Sequence, residues 1–178
     1  LMMRICIIGL GYVGLPICLK SSTKFQTIGF DTNRTRIRNL KNNFDQNNEY
    51  QKKDFINKKI LFTDKILDIK NCNFYIICVP TPVNKKNEPN LVPIKNSFNT
   101  ISKVLDINDI IILESTVYPG VTSKFTKILE KKNKLIHNKD FFIGYSPERI
   151  NPGDKENSLT NINKIIALNT NNKIVTNK

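Results

Sequence analysis

Short continuous apolar runs alternate with amphipathic stretches along most of this chain. The apolar runs occupy positions 5–8, 26–31, 74–79, 109–114, 141–145 and 162–168, with a weaker one at 60–62. They are too short for helices and are flanked by polar residues and turn formers, so the pattern predicts strands. Helical spacing appears between them, at 12–23, 32–40, 64–69, 94–104 and 121–132. In the second of these helices Ile37 and Leu40 supply the apolar spacing, and in the first Pro16 is tolerated because it falls near the first turn. Residues 42–59 are polar, rich in Asn and Lys, and the least regular part of the chain. Pro80-Thr81-Pro82 stops the strand at 74–79, and 83–90 is a loop by its charge, Asn and Pro content. Continuous apolar strands separated by helices predict a parallel sheet covered on both faces, an α/β domain of three layers, αβα.

The first strand leads directly into Gly9-Leu10-Gly11-Tyr12-Val13-Gly14, and the second ends at Phe30-Asp31. A G-x-G-x-x-G turn between strand and helix, with an acid about 20 residues on, is a dinucleotide-binding fingerprint and makes the expected sheet Rossmann-like and doubly wound. Gly9 lets the chain turn out of the strand, Gly11 lets a pyrophosphate approach the backbone, and Gly14 lets the helix pack closely. Tyr12 and Val13, in the same turn, count as cofactor-binding too. The helix start favours the anionic phosphates. Asp31 is placed to accept ribose hydroxyl protons. Its charge repels a 2′-phosphate, so the expected cofactor is NAD rather than NADP. Arg34 and Arg36 follow closely and offer the opposite reading, neutralisation of a phosphate; the preferred one puts Arg36 over the adenine or a phosphate and leaves Arg34 solvated. A glycine-rich turn in some other βαβ unit is the bland alternative.

Composition narrows the picture. At 178 residues the chain is long enough for one domain with its own core. It has no run of eighteen apolar residues, and its start reads as a strand rather than a signal or transit peptide. Cys6, Cys18, Cys72 and Cys78 fall in or beside apolar elements and lack metal-ligand spacing, which predicts reduced, buried thiols and a cytoplasmic protein without a metal. His137, in a Lys/Asn-rich connection, is expected to be exposed and inert. The net charge of +13 is carried almost wholly by Lys, since Arg4, Arg34, Arg36, Arg38 and Arg149 are the only arginines. The lysines are scattered among equally common Asn and Ile, as in drift toward an A- and T-rich genome, and are not interleaved with aromatics. No nucleic-acid partner is expected.

In a doubly wound sheet, ligands sit beyond the carboxyl ends of the strands. The segments there include Gly9-Leu10-Gly11-Tyr12-Val13-Gly14-Leu15-Pro16, Gly29-Phe30-Asp31, Val79-Pro80-Thr81-Pro82, Glu114-Ser115-Thr116-Val117-Tyr118-Pro119-Gly120-Val121-Thr122 and Ser146-Pro147-Glu148-Arg149-Ile150-Asn151-Pro152-Gly153-Asp154. In this order, the five motifs resemble the UDP-glucose/GDP-mannose dehydrogenase family. The last is similar to the branch acting on UDP-N-acetylhexosamines. The resemblance implies an enzyme that oxidises the C6 hydroxymethyl of a nucleotide sugar to a carboxylate with two NAD, passing through a cysteine thiohemiacetal and thioester. It implies cofactor roles for Gly9, Gly11, Gly14, Asp31, Arg36 and Thr81. Thr116 would help hold the catalytic water, Glu148 would serve thioester hydrolysis and acid–base work, and Arg149 would face substrate. Plainer readings remain for Thr81 (a strand-end cap) and Arg149 (a surface ion pair). The family's catalytic Cys, central domain and UDP-binding domain have no counterpart within residues 1–178. The expectation is therefore a single NAD-binding domain from a truncated, split or decayed gene, acting on a UDP-sugar only with a separately encoded partner fragment. The competing expectation is a dinucleotide-binding remnant with no turnover.

Overall fold

A computed structural model describes residues 2–147 and 166–168 of this chain. The strands are β1 (Arg4–Ile8), β2 (Gln26–Phe30), β3 (Ile60–Thr63), β4 (Phe74–Ile77), β5 (Asp109–Leu113), β6 (Phe141–Tyr145) and β7 (Ala167–Leu168). The helices are α1 (Gly14–Ser21), α2 (Arg34–Lys41), α3 (Val92–Ile101) and α4 (Val121–Asn133). The sheet order is β3-β2-β1-β4-β5-β6-β7. The chain runs outward from β1 to β3, then returns past β1 to build the other half from β4. The point between β1 and β4 is where a doubly wound sheet opens a crevice.

β1 to β6 pair in parallel, with Ile5 opposite both Thr27 and Phe74. All five residues of β5 are buried, as the continuous apolar run requires. The expected all-parallel sheet needs one correction: β7 pairs antiparallel with β6, Gly144 opposite Leu168. An apolar run does not encode strand direction; the intervening path does. Residues 162–165 of the expected last strand lie outside the described residues, as do the expected site residues Glu148 and Arg149.

The helices differ from expectation at their ends. α1 begins at Gly14 because residues 11–13 remain in the turn. It stops at Ser21, where the hydroxyls of Ser22 and Thr23 donate to the carbonyls of Leu19 and Lys20. Pro16 is the third helical residue, where an N–H has no intrahelical acceptor to lose. α3 starts two residues before the expected position. Asn90 Oδ1 accepts the Val92 N–H at 2.9 Å, and Pro93 fits the first turn. The expected helix at 64–69 is a single 3₁₀ turn, Ile66–Ile69, and a second such turn, Lys52–Phe55, interrupts the polar stretch.

Two large cores and a small third one, Ile110, Ile112 and Phe142, cover the sheet. One large core joins α3 and α4 to β4, β5 and β6 through Phe98, Phe125, Ile111 and Phe141; the other joins α1 and α2 to β1 through Leu15, Ile37 and Ile7. Phe98 and Phe125 stack with ring centres 5.1 Å apart. All four cysteines are free and buried. Burial pushes the Cys6 and Cys18 thiols well above the usual range, so these thiols stay protonated.

His137 is not the exposed side chain expected. It is half-buried, with its ring 5.6 Å from that of Phe141, and its Nε2 has no hydrogen-bond partner among the described residues. Burial lowers its pKa from the ordinary 6.5, against an opposite pull from Glu130. The neutral ring is therefore favoured by folding. Its contribution is present above the unfolded value and is lost as pH falls toward the folded one. His137→Phe should flatten the fall in stability as pH drops below the ordinary histidine value of 6.5, measured by urea unfolding at each pH. An unchanged slope would show that the titration lies elsewhere.

Candidate functional site

A cleft of about 520 Å³ opens beyond the carboxyl ends of β1 and β4. Its floor is Gly9, Leu10 and Gly11 on one side and Cys78, Val79 and Pro80 on the other. Gly9 has φ +91°, and a Cβ there would stand 2.8 Å from the Cys78 carbonyl oxygen. Both the conformation and the approach require glycine. A Cβ on Gly14 would meet the Gly9 carbonyl oxygen at 1.8 Å, so α1 can leave the turn only from glycine. At Gly11 the space a Cβ would fill is empty to 4 Å. No hydrogen bond among the described residues uses the N–H of Gly11, Tyr12 or Val13, and Val13 caps α1 without a side-chain bond. Open space beside unclaimed N–H groups at a helix start suits a pyrophosphate.

Asp31 stands where β2 ends. Its Oδ2 accepts the Leu10 N–H and its Oδ1 accepts the Asn33 N–H, both at 2.9 Å. These bonds orient the carboxylate, and each oxygen keeps a lone pair for a ribose hydroxyl. Asn33 Oδ1 then accepts the Arg36 N–H at 3.1 Å and caps α2.

Arg36, expected over the adenine or a phosphate, lines the cleft and is only 4% exposed. Its Nε donates to the Leu10 carbonyl at 2.8 Å, and its Nη1 donates to Asp45 Oδ1 at 2.5 Å. The Leu10 peptide is thus held at its N–H by Asp31 and at its carbonyl by Arg36. Nη2 is buried and has no partner among the described residues. Arg34 is solvated as expected, with its side chain 90% exposed and a 3.2 Å ion pair to Asp64.

Across the crevice, the exits of β4 and β5 are stitched together. Thr81 Oγ1 donates to the Thr116 carbonyl at 2.9 Å, and Ser115 Oγ to the Val79 carbonyl at 2.6 Å. Thr81 therefore serves as a strand-end tie, and Thr116 is brought beside it with its side chain exposed. Tyr12 is exposed, Val13 is half-buried, and neither appears in the cleft lining.

The outer wall escaped the sequence reading. Gln46 and Asn47 contribute from one side, and Asn96, Ser97 and Thr100 of α3 from the other. The α3 signal was present, since 93, 96, 97 and 100 share one helical face that is small or polar rather than apolar. Among the described residues no group of three or more His, Cys, Asp or Glu is arranged to hold a metal ion, and no helix is long and apolar enough to cross a membrane.

Comparison with known proteins agrees with this geometry. The profile of the UDP-glucose/GDP-mannose dehydrogenase family, NAD binding domain, matches residues 3–177. A UDP-N-acetyl-D-glucosamine 6-dehydrogenase of Salmonella typhi is 48% identical over 94% of this chain and 40% of its own length. Protein CapL of Staphylococcus aureus is 46% identical over 92% of this chain and 39% of its own length. The structure of a UDP-D-ManNAc dehydrogenase from Pyrococcus horikoshii superposes with a TM-score of 0.86 at 30% identity, covering 95% of this chain and 42% of that one. The chain thus spans about 40% of the length of the curated relatives it matches.

Proposed function

This chain belongs to the UDP-glucose/GDP-mannose dehydrogenase family, whose NAD-binding domain it matches, and from that premise we propose that it is the cofactor-binding part of a UDP-N-acetylhexosamine 6-dehydrogenase. The observation that carries the reading is the cleft at the β1/β4 crossover, where an oriented Asp31 faces unclaimed N–H groups beside the empty face of Gly11. NAD held there supplies a hydride acceptor for oxidation of the sugar's C6 hydroxymethyl to the uronate. The chain's residues bind and orient it. The Gly9–Gly14 turn takes the pyrophosphate, Asp31 takes the ribose hydroxyls, and the Thr81–Thr116 tie fixes the opposite lip. Thr116 and Glu148 are assigned to the water-dependent half of the reaction, and Arg149 to substrate. The reaction needs a reactive thiol, which the protonated Cys6 and Cys18 do not offer. The proposal therefore includes a further polypeptide portion that brings the nucleophile and the UDP site. A cytoplasmic location with reduced thiols goes with it.

Calorimetry with NAD and NADP tests the cofactor assignment. NAD should bind more tightly, and Asp31→Ala should weaken it roughly 10- to 150-fold, the loss of about 1.5–3 kcal/mol for bonds to a charged acceptor. Unchanged affinity in that variant would remove Asp31 from the site. The substrate class is tested by combining the chain with the remaining portion of a relative. NADH should form with UDP-N-acetylglucosamine or UDP-N-acetylmannosamine. A folded, NAD-bound mixture that stays inactive would favour a non-catalytic module.

A further inference from the structure

We infer that Asp45 is the positioning residue that pairs the Arg36 charge and so denies the cleft a free cation for a 2′-phosphate, so that Asp45 together with Asp31 sets the preference for NAD over NADP. The inference rests on the cofactor reading above. It starts from an apparent conflict. An arginine shortly after the ribose acid is the residue type that accommodates a 2′-phosphate, yet here it lines the same cleft as Asp31. The structure resolves the conflict through a residue near the start of the irregular polar stretch, nine positions after Arg36. Asp45 is 3% exposed and each of its oxygens is engaged. Oδ1 accepts Arg36 Nη1 at 2.5 Å and the Asn47 N–H at 3.2 Å. Oδ2 accepts the N–H groups of Glu49 and Tyr50 at 3.1 and 3.2 Å.

Three consequences follow from that one carboxylate. The buried guanidinium is neutralised at a separation where water cannot screen the pair. Two of its nitrogens are fixed by Asp45 and the Leu10 carbonyl, and Nη2 is the guanidinium nitrogen with no partner among the described residues. The 45–50 segment is folded around the carboxylate, which brings Gln46 and Asn47 into the cleft wall. A guanidinium paired in this way offers the cleft no uncompensated positive charge. A dianionic phosphate needs net positive charge; of the other arginines close to Asp31 in sequence, Arg34 already faces Asp64 and Arg38 does not line this cleft.

The test is the ratio of NADP to NAD affinity, measured by calorimetry on the full chain. Asp45→Asn keeps the shape and one acceptor oxygen but frees the Arg36 charge. The ratio should rise about tenfold or more. Asp45→Glu keeps the charge and moves the carboxylate, so NAD affinity should fall while the ratio stays near that of the unaltered protein. Should Asp45→Asn fail to fold, the double variant Arg36→Gln/Asp45→Asn removes both charges and leaves the site's net charge as it was. It should bind NAD more weakly with an unaltered ratio. A tenfold change of ratio in the double variant, or a constant ratio in folded Asp45→Asn, would overturn the inference and leave NAD binding itself standing. Absence of NAD binding by the unaltered chain would overturn both. A merely structural Asp45 would lower stability and both affinities together, leaving the ratio untouched.

Discussion

Gly14→Ala is expected to lower the stability of the chain by at least about 3 kcal/mol and to abolish NAD binding. The new methyl would stand 1.8 Å from the Gly9 carbonyl oxygen and 2.9 Å from its carbon. Those atoms are backbone and cannot rotate aside. Gly9 is itself held, because its N–H donates to the Phe30 carbonyl at 2.9 Å and its φ is +91°. Relief must come from shifting α1 off the sheet, which opens the packing of Leu15 and Cys18 in the core under that helix. Overpacking of an interior typically costs about 1–3 kcal/mol, and a clash with fixed backbone lies at or beyond the upper end. Gly11→Ala is the control from the same turn. Nothing lies within 4 Å of its added methyl, so stability should hold while NAD affinity falls, because the methyl occupies the space assigned to the pyrophosphate. Urea unfolding and calorimetry on both variants read the two effects separately. Equal stability losses would show that the turn is not divided in this way.

Phe98→Ala should cost about 3–5 kcal/mol, the usual range for truncating a buried aromatic. Phe98 is fully buried on α3 and stacks on Phe125 of α4, the principal aromatic contact between those helices. A chain of this size loses roughly 2–4 °C of melting temperature per kcal/mol, so a fall of roughly 6–20 °C is expected. The effect reaches the cleft as well. Asn96, Ser97 and Thr100 form its outer wall from the same helix, and Phe98 is what seats that helix. NAD affinity should weaken, and saturating NAD should restore about 2.7 kcal/mol at 100 times its dissociation constant. A melting temperature within 2 °C of the unaltered chain, about the smallest shift expected per kcal/mol, would mean that the stack adds nothing.

The parts of the site legible in the sequence are those encoded by local geometry. Gly9 and Gly14 are demanded by a backbone conformation and a close approach within six residues of each other, and the structure shows both demands. Asp31 was legible because a strand that ends beside the turn delivers its next residue to it. β2 pairs with β1 in register, Phe30 opposite Ile8, and so Asp31 reaches the Leu10 N–H. Asp45 left only a faint trace, because three of its partners are backbone N–H groups that any sequence supplies and the fourth, Arg36, comes from another element. His137 was misjudged because composition describes a neighbourhood along the chain, while its burial comes from Phe141 and the elements packed around it.

By itself, then, the sequence determined the order and kind of most elements, the buried strands, the glycine turn and the acid that ends β2, since all of these follow from periodicity or from backbone sterics over a few residues. Tertiary structure decided three things: the antiparallel direction of β7, the outer wall contributed by α3, and above all the pairing and burial of Arg36. Two arginines near a ribose acid look alike in sequence. Asp64 meets one on the surface, and Asp45 buries the other, holding it at 2.5 Å. An ion pair depends on distance and on exclusion of water, and neither is written into the spacing of residues along the chain.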